Sequence, residues 1–509
     1  QIPGRFVLNY LEYKQPGYFP FAPARRPLKL AGRQLILPEQ LEKSPNYPSV
    51  VAVPHHTCHH HQVMNHSYRT EARGLIRLAA PIAFTTLIQE AMGFIDVIML
   101  GRYDATQFAA SGLGTSIWLF GLLAITGSLM GTSALIANRV GADNPEGVRT
   151  LYRQSLWLAL ILGVVGLLTL PWLTRLLPLA GVQPALIPHV TDYIQITAYT
   201  MPALGLYMSM RFFSEGIEWP IPMMIIALLM LPLNTVGNYF LIFGNGGFPE
   251  LGLKGAAIST TIGVNLSALL LWLVLRYAKP YRAYRAATAY CLPDPKTIGR
   301  ILILSIPIAG SMLLEHGFFL ATYVLAGKLS VLTAAAHNIA LNYASMMFVI
   351  PLGIASATTV KVGNALGRGS SEHARFRGWT GISVATIFMF CSACIMLLFN
   401  QQIARIYTTD LAIIEPAAGL LMIAALFQLS DGIQVSTAGA LRGFEDTATP
   451  MLINLIAYWA IGLPLAAYLA FNRQLDAYGL WLGLICGLTV AAFLLVRRFY
   501  RLTEGPGRP

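Results

Sequence analysis

The chain has 509 residues, 55% hydrophobic and 11% charged, with a formal net charge of +12 and a mean hydropathy of +0.58. A soluble domain carries about 25% charged residues, so this composition excludes a water-soluble fold and indicates a polytopic membrane protein. The positive excess would suggest nucleic acid in a soluble protein; here its placement matters more than its sum, and no nucleic-acid partner is expected.

Residues 1–63 differ from the rest. The stretch "QPGYFPFAPARRPLKLAGRQ" is Pro-rich and basic without an amphipathic period, and "HHTCHHH" (His55 to His61) follows. The His/Cys tract has the composition of a metal-binding segment. No signal-peptide pattern precedes it. At Met64 the character changes to a short polar start, a basic turn and a membrane segment. Met64 is therefore expected to be the initiator, and 1–63 a disordered or non-native N-terminal extension.

From residue 72 onward twelve apolar segments are each long enough to cross a bilayer, which takes about 20 residues. Their approximate limits are 72–99, 113–137, 152–175, 188–212, 220–243, 253–276, 299–325, 337–361, 378–400, 412–439, 449–471 and 477–496. Several hold proline at depth (Pro81, Pro202, Pro232, Pro307, Pro351, Pro464), which bundled helices tolerate because neighbours re-satisfy the freed carbonyls. With the N-terminus inside, the cytoplasmic ends and loops hold 22 basic residues and the opposite side 6, which predicts both termini in the cytoplasm. The five cysteines are scattered. Cys391 and Cys394 form a CxxC inside "ATIFMFCSACIMLLF", where they read as packing residues, and no disulfide framework is implied.

The chain repeats itself. "LAAPIAFTTLIQEAMGFIDVIMLGRY" (78–103) lies over "LSIPIAGSMLLEHGFFLATYVLAGKL" (304–329) at an offset of 226, so Pro81 meets Pro307 and Gly101 meets Gly327. Gly141 then meets Gly367 and Arg149 meets Arg375; near Pro222 and Pro450 the offset becomes 228. Six helices separate the copies, an even number, so the halves share one orientation. The expected fold is all-α: twelve transmembrane helices in two pseudo-symmetric six-helix bundles, 64–286 and 287–509, with a substrate site between them.

Four acidic residues fall inside the spans: Glu90 and Asp96 in the first, Glu315 in the seventh and Asp431 in the tenth. Each costs about 2.5–3.5 kcal/mol on insertion scales, and none has a Lys or Arg at i±3 or i±4. A protonated, hydrogen-bonded core carboxyl is the bland explanation, and it fits Glu90 best. A cation site that exchanges Na⁺ or H⁺ against substrate is the sharp one. Glu315 and Asp431 are candidate cation and substrate ligands. Phe427, Asp431 and Gln434 share one helix face by i, i+3, i+4 spacing, an aromatic, a carboxylate and an amide suited to a lipophilic cation. Asn234 and Asn238 share a face of the fifth span and with Asp96 supply the oxygens that hard cations prefer. His316 points about 100° away from Glu315 and reads as packing or cavity lining.

Four stretches carry a family resemblance: "QEAMGFIDVIMLG" (89–101), "NYFLIFGNGGFPELGLKGAAIST" (238–260), "AAHNIALNYASMMFVIPLGIASATTVKVGNALG" (335–367) and "QLSDGIQVSTAGALRGFEDT" (428–447). From Met64 to its end the chain resembles multidrug and toxic compound extrusion (MATE) transporters of the bacterial NorM/MdtK-like branch. The resemblance implies two bundles rocking around a central cavity, and export of cationic, amphipathic drugs driven by Na⁺ or H⁺ entry across the bacterial inner membrane. It carries cation coupling to Glu315, Asp431, Asp96, Asn234 and Asn238, with Na⁺ held by Glu315, Asp431 and Asp96. Two positions depart from that branch. Phe427 stands where a tyrosine is common, and Glu90 where an acid is uncommon. No cofactor is expected beyond the coupling ion; lipid is the surroundings and the monomer the working unit.

Three rivals predict other features. A flippase for a lipid-linked precursor needs basic residues in the cavity, and the spans hold almost none. A membrane enzyme needs clustered catalytic or metal-binding groups, but His189, His316 and His337 are dispersed; the chain is not expected to be an enzyme. A channel would use the same spans without the exchange chemistry. No GxxxxGK[ST] motif is present, so ATP is not the expected fuel.

Overall fold

The computed structural model describes residues 68–179, 181–284 and 292–504, and among them there is no strand. His55–His61, Met64, Cys291 and the predicted junction at 286/287 lie outside the described residues. The helices are α1 Tyr68–Gly101, α2 Ala105–Gly141, α3 Pro145–Leu173, α4 Ile187–Ala198, α5 Met201–Gly216, α6 Ile221–Phe243, α7 Leu253–Tyr277 and the single turn α8 Lys279–Arg282. The second half holds α9 Pro295–Leu329, α10 Val331–Gly367, α11 Ser371–Tyr407, α12 Leu411–Gly443, α13 Ala448–Asn472 and α14 Asp476–Glu504. Side chains such as Ile303 (79% exposed) and Leu398 (73%) face outward, as a lipid-bathed surface requires.

Eleven described helices are long and apolar enough to cross a membrane. The remaining predicted span, 188–212, folds as the consecutive pair α4 and α5, of 12 and 16 residues. Pro202 has no N–H to give the Ala198 carbonyl. The chain therefore tightens at the break, where Tyr199 N–H donates to Ile196 O (3.2 Å) and Thr200 N–H to Thr197 O (2.9 Å). A related adjustment marks α13, where Leu455–Gly462 and Tyr468–Asn472 are π-helical on either side of the Pro464 turn.

The sequence repeat is written into the helix starts. Asp104 caps α2 by accepting from Gln107 N–H, and Ser330, 226 positions on, caps α10 by accepting from Thr333 N–H. Asn144 and Ser370, also 226 apart, cap α3 and α11. Each cap satisfies an otherwise orphaned backbone donor.

The halves meet along α1 and α2 on one side and α9 and α10 on the other. A Cβ added at Gly127 would overlap the Ala309 backbone, and one at Gly353 would overlap Ala83; the two contacts exchange under the 226 offset. Further along, a Cβ at Gly141 would overlap the Asn364 carbonyl and one at Gly367 the Asn138 carbonyl, again an exchanged pair. Small residues that let backbones approach this closely drive helix association in lipid. Gly127 and Gly141 are 14 residues apart, so the closed wall is about 21 Å deep at 1.5 Å per residue. It occupies the half of the interface that the charge bias assigns to the cytoplasm. Leu75, Leu78, Ala79 and Ile82 of α1 seal it against Ile354, Ala357 and Val360 of α10.

Candidate functional site

Glu315 on α9 and Asp431 on α12 line one cavity together with Phe319, Leu341, Ala344, Ser345, Phe348 and Phe427. Its volume is about 40 Å³. A water needs about 10–15 Å³ on this measure, so the space takes an ion with a water or two. Drug-sized sites run to about 300–1,000 Å³. Asp431 is 3% exposed, and Phe427 and Gln434 2% each. The predicted face of α12 is therefore inside the second half, packed by Phe319 and Trp481 against the Phe427 ring.

Oδ1 of Asp431 and Oε1 of Gln428 are buried without a hydrogen-bond partner among the described residues. Buried acceptors are rarely left so, and a lone carboxylate oxygen facing a small cavity is a ready ligand for a hard cation or a proton. The Asp431 and Glu315 carboxyls interact electrostatically. Three participants escaped sequence reading. Tyr458 of α13, fully buried and stacked on Phe318 (5.1 Å), interacts electrostatically with Glu315 and Asp431. Ser345 adds a hydroxyl to the lining. Arg442 acts electrostatically on Glu315. Periodicity cannot show a partner on another helix, although Arg442 lies in the "GALRGFEDT" motif itself.

In the first half, Asn238 Nδ2 donates to Asp96 Oδ1 and to Asn234 Oδ1 (3.5 Å). Thr260 Oγ1 of α7 donates to Asp96 Oδ2 (3.4 Å). Asn234 and Asn238, which spacing puts on one face, thus come together with Asp96 of α1, and Thr260 is the addition. Unlike Asp431, Asp96 has both carboxylate oxygens engaged.

The spans hold more buried positive charge than composition suggested. Arg211, counted from sequence among the cytoplasmic-side residues, lies within α5 with its side chain 13% exposed and paired to Glu215 (2.8 Å). It also reaches Thr86 (3.3 Å) and Gln89 (3.5 Å) of α1. Two further pairs tie the halves beside the glycine crossings: Arg377–Glu71 at 2.7 Å and Lys361–Glu218 at 2.6 Å. Among the described residues no group of three or more His, Cys, Asp or Glu could hold a metal ion, so any ion site here relies on mixed oxygen ligands.

Comparisons with known proteins agree with this architecture. The MatE family model matches twice, over residues 81–240 and 307–468, in the register of the internal repeat. The multidrug resistance protein PmpM of Pseudomonas aeruginosa is 39% identical over 440 residues, 85% of this chain and 92% of that protein. The probable multidrug resistance protein NorM of Xanthomonas campestris is 36% identical over 442 residues, 86% and 96% of the two chains. MdtK of Pectobacterium atrosepticum is 35% identical over 446 residues, 86% and 97%. Among solved structures, an outward-facing multidrug resistance MATE family transporter superposes with a TM-score of 0.79 at 21% identity, covering 85% of this chain and 96% of that one. The eukaryotic MATE transporter AtDTX14 gives 0.78 at 20% identity, with the same coverage; at such identities the likeness concerns the fold. This chain is a multi-pass membrane protein that belongs to the MatE family.

Proposed function

We propose that the protein exports cationic, amphipathic compounds across the bacterial inner membrane in exchange for Na⁺ or H⁺, by alternating access, as a monomer with both termini in the cytoplasm. The observation that carries this reading is the Glu315–Asp431 pair around a small cavity, with one carboxylate oxygen unpartnered. Such a site has the size and charge for the coupling ion. Phe427, Gln434 and the two carboxylates receive the drug's positive charge only when this cavity widens, so ion and drug compete for one charge. Asp96, Asn234 and Asn238 form a second ion site, already hydrogen-bonded and so less dependent on an ion. Each half, 64–286 and 287–509, moves as a body, and the glycine wall with its two ion pairs closes the cytoplasmic side.

Coupling then needs only that ion and drug differ in affinity for the two states. The names of the relatives, all multidrug resistance proteins, support the substrate class. Purified protein in liposomes, loaded with ethidium and given Na⁺ and pH gradients separately, tests the reading. One of the two gradients should drive ethidium movement; movement under neither would refute the exchange.

A further inference from the structure

The close backbone crossings between the halves end at Gly127 and Gly353, and the helix faces that continue past them are more open. On α1, the face of Ala83 that meets Gly353 continues through Glu90 and Phe94, which lie at i+7 and i+11 and so within about 20° of it. Glu90 and Phe94 are exposed, Phe94 at 61%. On α2 the face of Gly127 leads back to exposed Phe120, on α10 that of Gly353 leads to Met346 (52% exposed), and on α9 that of Ala309 leads to half-buried His316. Three of the four helices pass from contact to exposure at this level, and on the fourth His316 is half-buried. The halves therefore diverge there into a cleft, and these side chains form its floor.

Glu90 and His316 are 226 positions apart, as are Phe120 and Met346. His316 packs on Phe120 across one seam, ring centroids 5.7 Å apart and edge to face. At the other seam the repeat makes Glu90 the equivalent of His316 and Met346 the equivalent of Phe120. One seam is thus a pair of rings and the other a carboxylate with a thioether. Among the described residues Glu90 has no hydrogen-bond or ion-pair partner, since the nearby Arg211 is held by Glu215 on its own helix.

We propose that Glu90, with Phe94, Met346, Phe120 and His316, forms a subsite at the cleft floor for an amphipathic monocation, separate from the Glu315–Asp431 cavity. The positive group meets Glu90, and the apolar body lies on Met346 and toward the Phe120–His316 rings, surfaces that suit a large polarizable cation. This subsite rests on the exporter reading. It assigns first capture of the drug to a residue that the coupling ion does not use.

The test is equilibrium dialysis of the purified full-length protein against tetraphenylphosphonium. Glu90→Gln should weaken binding roughly five- to tenfold, the loss of one ionic contact at a partly solvated site, while Glu90→Asp stays close to wild type. Adding Met346→Glu to Glu90→Gln should restore binding, which a merely structural role for Glu90 would not do. Unchanged binding in Glu90→Gln, or equal losses in the Asp and Gln variants with no rescue, overturns the subsite. If the wild type moves ethidium under an ion gradient and Glu90→Gln still binds normally, only the subsite falls. If the wild type neither binds nor moves cations, the exporter reading falls with it.

Discussion

The two halves share a scaffold and differ in chemistry. Caps, the Pro81/Pro307 pair and interface glycines recur at the 226 offset, yet the ionisable groups within the spans do not: Glu315 stands over Gln89, His316 over Glu90 and Thr322 over Asp96. In the first half Asp96 is embraced by Asn238 and Thr260. In the second, Asp431 keeps a bare oxygen beside a cavity. The backbone contacts must repeat because two like bodies close on each other symmetrically. Chemistry need not, and under the proposed exchange the buried, unpartnered carboxylate oxygen of Asp431 gives the second half the ion-dependent step.

That asymmetry is broken most severely at Asp431. Asp431→Asn should abolish ion-driven ethidium transport in everted vesicles, and Glu315→Gln should cut it at least about tenfold, the equivalent of about 1.4 kcal/mol. Undiminished, ion-driven transport in Asp431→Asn would remove its role. The symmetric wall comes next. Gly141→Leu and Gly367→Leu force a side chain into a neighbouring carbonyl, so each should lower transport by about tenfold and by similar amounts. A large effect at one position and none at the other would show that the crossings are not equivalent.

Asp96→Asn should cost less than Asp431→Asn, on the order of a few-fold, because an amide can keep part of the Asn238 and Thr260 contacts. A loss as deep as that of Asp431→Asn would make the halves chemically equal. The smallest effect belongs to the Lys361–Glu218 pair across the wall. Lys361→Met should change transport about twofold, in line with the about 0–1 kcal/mol of a partly exposed pair; complete loss would make this pair essential to closure.

Much of the fold could be read without coordinates. Hydropathy located the spans, and the offset exposed the duplication that the family match also divides into two. The split of α4 from α5 was harder to read. Apolar runs 188–198 and 201–212 look continuous, and Pro202 alone does not announce a break when Pro81 and Pro307 sit inside unbroken helices. For the sites, spacing along one helix sufficed to join Asn234 with Asn238 and Phe427 with Asp431. It could not reveal that Thr260, Tyr458 and Ser345 join those groups from other helices, nor that Arg442 acts on Glu315 across helices, nor that Arg211 is turned inward against Glu215. Glu90 was the hardest case, because only the divergence of the halves separates an open cleft from a packed core.

The proposed exchange of one positive partner for another at Asp431 is open to direct measurement. Tetraphenylphosphonium bound to the purified protein can be titrated with Na⁺ at fixed pH and with acid at fixed Na⁺. Wild type should release bound cation to one of these ions, and Asp431→Asn, measured in a Glu90→Gln background so that acid cannot act at Glu90, should be insensitive to both. Displacement that persists unchanged in Asp431→Asn would contradict the account.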